Sequence, residues 1–312
     1  MRISIQIPTA LVALANFLTP AVGVAQSSAI ARPAADWTEV ETVLGRKGAA
    51  QPGDVMKFSF PRGDLRVTAR GVQLRPAFAL GSWVAFKRIG KSNAMVMGDL
   101  VLLEDDIGPV MQKLQAGGVE QTALHNHVLG ETPRIMYMHI NAHGEEIRIA
   151  QTIHDALALT KTPQGTPAPA STAPVDLDSL GIAKALGYSG KINGGVYQVV
   201  IPRADKVSEG GMEIPASMGI ATAINFEPTG DGKAAITGDF VMTAGEVNRV
   251  IRALRSHGIE VTALHSHMLT ESPRLFFMHF WANENAVTLA TGLRAALSEM
   301  RVQPSVARAG RQ

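Results

Sequence analysis

The sequence predicts an α+β protein made of two tandem copies of one α/antiparallel-β module, related by a pseudo-two-fold. Three observations carry this. A block of residues recurs at a constant spacing, each copy shows helical and strand periodicities in the same order, and one Pro/Ala/Thr-rich stretch separates the copies. Gly98-Asp99 recurs as Gly238-Asp239, and Thr122-Ala123-Leu124-His125-Asn126-His127 as Thr262-Ala263-Leu264-His265-Ser266-His267. Glu131, Pro133, Arg134, Met138 and His139 recur as Glu271, Pro273, Arg274, Met278 and His279. A fixed offset that drifts only upstream is the mark of a duplicated module with length changes confined to its connections.

Taken in order, residues 1–25 have the layout of a signal peptide. Arg2 precedes an apolar stretch from Ile7 to Val24, broken by Asn16 and Pro20, and small residues stand at Gly23 and Ala25 before the cut. A membrane anchor needs about 20 apolar residues without such interruptions. The mature chain is therefore expected to be exported, periplasmic or extracellular. Residues 36–160 form the first repeat, 161–176 a linker, and 177–302 the second repeat. Within the first, a short helix near Trp37–Leu44 precedes strands at Val55–Phe60, Leu65–Leu74, Trp83–Ile89 and Ala94–Leu103. Ile107, Val110, Met111 and Leu114 then make one helical stripe, as do Val247, Val250, Ile251 and Leu254 in the second copy. Thr243 with Glu246 reads as a capping box, and Gly117 or Gly118 and Gly258 as left-handed stops. A strand over Val119–Val128, a turn over Leu129–Pro133, and a strand over Arg134–Ala142 follow. The last is apolar on both faces and so is expected to be central. A closing helix carries Ile149, Ile153, Ala156 and Leu157, matched by Leu289, Leu293, Ala296 and Leu297. Residues 303–312 read as a frayed tail.

Composition narrows the functional classes. The 312 residues include 29 basic and 27 acidic side chains, for a net charge of +2, which gives no electrostatic footprint for nucleic acid. There is no cysteine, which excludes disulfides, thiolate metal sites and cysteine nucleophiles. Neither a nucleophile elbow, a phosphate loop nor a dinucleotide fingerprint is present, and no stretch after the leader is long and apolar enough to span a bilayer.

The chemistry-bearing pattern is His125-x-His127-x3-Glu131 with His139, repeated as His265-x-His267-x3-Glu271 with His279. Alternation puts the two histidines of a strand on one face, and a hairpin turning near the glutamate returns the third beside them. Three imidazoles and a carboxylate suit a divalent transition metal: Zn, Mn, Fe, Ni or Cu. Neighbours differ between the copies at Asn126 and Ser266, Val128 and Met268, and Gly130 and Thr270, whereas all three histidines and the glutamate are kept. Two other readings stand beside the metal. Arg134 or Arg274 with neutral histidines would suit a small anion, and the histidines would equally serve as a satisfied polar core. Asp99 and Asp239 read either as turn residues or as histidine partners, the turn being the commoner role for Gly-Asp.

The doubled segment Thr-Ala-Leu-His-x-His-x-Leu-x-Glu-x-Pro-Arg…Met-His resembles the LppY/LpqO family of exported, functionally uncharacterised bacterial proteins. That resemblance implies export and a paired module, without a reaction. Named members are lipoproteins, and the absence of cysteine here departs from that. The HxHx3E spacing also resembles the first metal motif of the cupin superfamily, in ligand spacing rather than in fold. The expected function is binding of a metal ion or small ligand by the histidine hairpins, for catalysis, storage or delivery. A non-catalytic cell-envelope interaction module with structural histidines is the alternative.

Overall fold

The computed structural model describes residues 36–305 together with Met1; the expected signal peptide, Met1 aside, lies outside the described residues. The first repeat runs α1 (Thr38–Val43), β1 (Ala49–Gln51), β2 (Val55–Pro61), β3 (Thr68–Ala69), β4 (Val72–Gln73), β5 (Gly81–Arg88), β6 (Asn93–Leu103), α2 (Glu104–Ala116), β7 (Glu120–His125), β8 (Glu131–Thr132), β9 (Ile135–Glu145) and α3 (Glu146–Leu157). The second runs α4 (Ser179–Leu186), β10 (Lys191–Asn193), β11 (Val196–Pro202), β12 (Ser208–Glu209), β13 (Met212–Glu213), a 3-10 turn (Ala216–Met218), β14 (Ala221–Gly230), β15 (Lys233–Thr243), α5 (Ala244–Ser256), β16 (Glu260–His265), β17 (Leu275–Asn285) and α6 (Ala286–Leu297). Each repeat thus builds a six-stranded sheet of the same connectivity, ordered β1-β2-β5-β6-β9-β7 and β10-β11-β14-β15-β17-β16. All their pairings are antiparallel.

The helices begin and end where local chemistry satisfies their free backbone groups. Glu246 accepts from Thr243 N at 2.7 Å, the return half of the expected capping box, and Asp106 does the same for Leu103 N at 3.0 Å. Gly118 (φ +80°) and Gly258 (φ +72°) turn the chain from helix into strand. One face of each sheet packs against its own helices. Val110, Leu114, Ile149 and Ile153 meet Met138 and Ile140 in the first core, and Val250, Leu254, Leu289 and Leu293 meet Met278 and Phe280 in the second. Each such side chain, fully buried, contributes roughly 1.5–3 kcal/mol.

The opposite faces of the sheets meet each other. Val55, Ala85, Met95 and Met97 of the first sheet pack on Val207, Ile214, Met218 and Ile220 of the second repeat. Reciprocally, Val67, Leu74, Phe78 and Leu80 pack with Val196, Ala235 and Trp281. Each repeat therefore sends the segment between its second and third sheet strands across the other's sheet. Reciprocal contacts of this kind are what an isologous, two-fold arrangement requires. Strand β9 lies between β6 and β7 and is buried on both faces, as its two apolar faces predict.

Three local expectations need correction. Leu65–Leu74 is not one strand, because consecutive left-handed residues Arg70 (φ +49°) and Gly71 (φ +83°) fold it into the β3–β4 hairpin. The histidine strand, expected to run to Val128, stops at His125. The tail begins as ordered chain: Gln303 N donates to Pro202 O at 2.9 Å, and Tyr188 Oη donates to Gln303 O at 2.7 Å. The linker is also tied down, with Arg46 Nη2 donating to Pro163 O and Gly194 N to Ser171 O.

Candidate metal centre

The β7–β9 ladder sets Ala123 opposite His139 and His125 opposite Tyr137, which makes His125 and His139 diagonal neighbours on one face. Their rings lie parallel with centroids 4.9 Å apart, and His265 and His279 repeat this at 4.8 Å. His127 lies just past the strand, held by stacking on Tyr137 (3.3 Å); His267 stacks on Phe277 (3.4 Å). The face that carries them is the one turned toward the other repeat.

Consequently the two hairpins do not form two pockets. They form one centre. His125 stacks on His265 with centroids 3.7 Å apart, and tilted ring pairs place His139 3.7 Å from His267 and His127 3.9 Å from His279. Two threonines lock the arrangement: Thr122 Oγ1 donates to His267 O at 2.6 Å, and Thr262 Oγ1 to His127 O at 2.5 Å. Asn126 Nδ2 adds a bond to Thr262 O at 3.1 Å. Three sets of side chains bring their ligand atoms within 4.8 Å of one another: His125/His139/His265, His125/His127/His279 and Asp239/His265/His267. The first two mix imidazoles from both repeats.

Proton positions follow from the acceptors around the rings. A carbonyl oxygen can only accept, so a ring nitrogen bonded to one carries the hydrogen, and the other nitrogen of the neutral ring is left with a lone pair. His125 Nδ1 donates to Asn126 O (3.1 Å), His139 Nδ1 to Gly98 O (3.2 Å), His267 Nδ1 to Gly219 O (3.1 Å) and His279 Nδ1 to Gly238 O (2.6 Å). All four Nε2 atoms then present lone pairs, the orientation that carbonyl-anchored metal ligands adopt. Among the described residues, the buried Nε2 atoms of His125, His127, His139 and His279 have no hydrogen-bond partner. Asp239 Oδ2 stands 3.1 Å from the lone pair of His267 Nε2, and Asp99 Oδ2 stands 3.5 Å from His127 Nε2. Two acceptors face one another at the first of these contacts, an arrangement that a proton or a cation relieves.

Burial dominates the electrostatics. It holds His125, His127, His139, His265 and His279 below the ordinary imidazole range, and His267 at about 3. It also pushes Asp239 up to about 6. Neutral imidazoles are the state in which histidine binds metal.

A family model described as Domain of Unknown Function (DUF1259) matches the chain twice, over residues 38–159 and 181–299. The chain belongs to the DUF1259 family. No curated protein matches it in sequence. Among solved structures it is similar to the trimeric bacterial microcompartment shell protein PduB, at 14% identity over 83% of this chain and 97% of that one, with a TM-score of 0.22. It is also similar to EtuB from Clostridium kluyveri, at 11% identity over 80% and 90% of the two chains, with a TM-score of 0.19. At such TM-scores neither likeness bears on fold or function.

The two DUF1259 matches contain all the residues singled out from sequence, and the structure separates them into two sets. The six histidines converge. Glu131 and Glu271 instead staple their own hairpins: Glu131 Oε1 accepts from Ile135 N at 3.4 Å, and Glu271 Oε1 from Leu275 N at 2.8 Å. Neither belongs to a converging ligand set. Burial raises Glu131 to about 7. Arg274 pairs with Glu271 at 3.2 Å, whereas the exposed Arg134 reaches Glu104 at 3.9 Å. Neither arginine bonds to a histidine side chain. Met138 and Met278 point to the helix-side cores, away from the imidazoles.

Sequence reasoning underweighted two pairs in the DUF1259 repeats. Asp99 and Asp239 are mid-strand residues opposite His139 and His279, not turn residues. Their preceding glycines are required by packing, since a Cβ on Gly98 would lie 2.7 Å from Trp83 O and one on Gly238 2.0 Å from Ala223 O. Thr122 and Thr262, the cross-repeat locks, stand out in the sequence only as members of the recurring block. The signal for both pairs was present in the 140-residue recurrence that marked the histidines.

Proposed function

We propose that this chain is an exported metal-binding protein whose inter-repeat histidine centre holds a divalent transition ion. The observation that carries the reading is the convergence of buried imidazoles from both repeats with Nε2 lone pairs that no described residue satisfies. A buried polar group without a partner costs on the order of 1–3 kcal/mol, and a metal ion would offset that cost at several rings together. An ion held by three neutral imidazoles keeps a fourth position for water or a small ligand. The metal and small-ligand readings are therefore one site. Zn, Mn, Fe, Ni and Cu all accept imidazole. The leader over residues 1–25 and the resemblance to LppY/LpqO proteins support export to the periplasm or beyond, and no helix of the described residues is long and apolar enough to cross a membrane.

Metal analysis of the chain purified without an affinity tag tests this. The expected result is bound transition metal that a chelator removes and added Zn(II) restores, with His125→Ala and His265→Ala each lowering the affinity. Metal content near zero, with no binding on titration, would overturn it.

One observation favours the envelope-interaction reading. Leu124, Leu129, Leu264 and Leu269 are exposed apolar side chains in equivalent places on the two hairpins. On that reading, the histidine variants destabilise the fold in the chelated protein as much as in the metal-loaded one.

A further inference from the structure

We infer that the centre takes two metal ions, one in each of two separate ligand sets; this rests on the metal-binding reading above. The sets His125/His127/His279 and Asp239/His265/His267 each converge within 4.8 Å and have no residue in common. Occupying one removes no ligand from the other. The third set, His125/His139/His265, takes one histidine from each of these, so it competes with both and describes a single-ion arrangement.

Two features favour the paired arrangement. All three imidazoles of the first set have buried Nε2 atoms without a hydrogen-bond partner among the described residues, and carbonyl-bonded Nδ1 atoms leave the Nε2 lone pairs of His125 and His279 free for an ion. The second set has its own demand for a cation. His267 Nδ1 donates to Gly219 O, which leaves Nε2 as a lone pair, and that lone pair faces both Asp239 Oδ2 at 3.1 Å and His265 Nε2 at 3.1 Å. His265 Nε2 must supply the proton of that contact, while its Nδ1 is buried without a partner. An ion bound between Asp239, His265 and His267 would take the place of this proton, which moves to the free Nδ1 of the same ring so that His265 stays neutral, and would satisfy three acceptors at once. The sets are thus inequivalent: in the first, His125 and His279 already present Nε2 lone pairs, and in the second His265 changes tautomer as the ion binds. Two ions held in one centre suit a substrate with two oxygen donors, such as a carboxylate or phosphate, or a bridging water.

The experiment is titration of the chelated, untagged chain with Zn(II), read as ions bound per chain by equilibrium dialysis. The wild type is expected to bind two. His127→Ala and Asp239→Asn are each expected to bind one, with circular dichroism reporting that the fold is kept; His127→Gln replaces His127→Ala where that variant does not fold. A wild type that saturates at one ion overturns the two-ion inference and leaves the metal-binding reading intact. Either variant binding two ions, or a folded variant binding none, overturns the separation into two sets. A wild type that binds no ion removes the underlying reading itself.

Discussion

Thr122 and Thr262 show what single side chains do at this interface. Each donates to a histidine carbonyl of the opposite repeat, at 2.6 and 2.5 Å, and Thr122 is buried. Removing the hydroxyl leaves a carbonyl without that bond, at a cost of roughly 1–3 kcal/mol. Thr122→Val and Thr262→Val are each expected to lower the unfolding free energy by that amount in chemical denaturation, and a double-mutant cycle should show coupling because both bonds lock one joint. Additive, near-neutral effects would mean the hairpins are held by ring stacking alone. The six imidazoles give a second expectation. Their folded pKa values lie below the unfolded value of about 6.5, so the unfolded chain binds more protons on acidification and stability is lost as pH falls below that value. Glu131 and Asp239 act oppositely, since both are raised, to about 7 and about 6, and ionising them weakens the fold as pH rises. Six groups outweigh two. The thermal midpoint of the chelated protein should fall steeply from pH 7 to pH 5, and a flat profile there would contradict neutral, buried rings.

At the scale of elements, the hairpins position the chemistry and the Gly-Asp strands support them. Gly98 and Gly238 let the neighbouring strand approach and turn their carbonyls to the Nδ1 atoms of His139 and His279. Gly238→Ala places a Cβ against Ala223 O, so strands β14 and β15 must separate. The expected loss is about 1–3 kcal/mol, read in chemical denaturation, with weaker Zn(II) binding because the His279 anchor moves. Most elements were legible in the sequence because the longer helices and sheet strands bury apolar stripes or whole apolar runs, whereas the short β1 and β10 bury almost nothing. The β3–β4 hairpin was not, since Arg70 in a left-handed conformation has no strong sequence signal. The end of the histidine strand at His125 was hidden too. His127 looks like a strand residue by alternation but is placed by its stacking on Tyr137.

The whole molecule is a joint between two equivalent halves, and the centre exists only when they meet. Each sheet has one face covered by its own helices and the other by its partner repeat. A single repeat, residues 36–160 or 177–302, would expose that second face. Expressed alone, either is expected to self-associate or aggregate in size-exclusion chromatography and to lose the mixed-repeat ligand sets. A monodisperse, monomeric single repeat that binds Zn(II) as the full chain does would show that each hairpin is sufficient.

What the sequence determined by itself was the duplicated module, its central strand buried on both faces, and the identity of the six histidines, because repetition and periodicity are local properties of the chain. The tertiary structure alone decided that the two histidine groups are one, that Asp99 and Asp239 stand beside them, and that Glu131 and Glu271 brace the hairpins. The physical reason is that ligand convergence depends on which sheet faces are left uncovered. Each repeat leaves its histidine face open, and the apolar surface around it is buried by the other copy, through its crossing segment and its own inner sheet face.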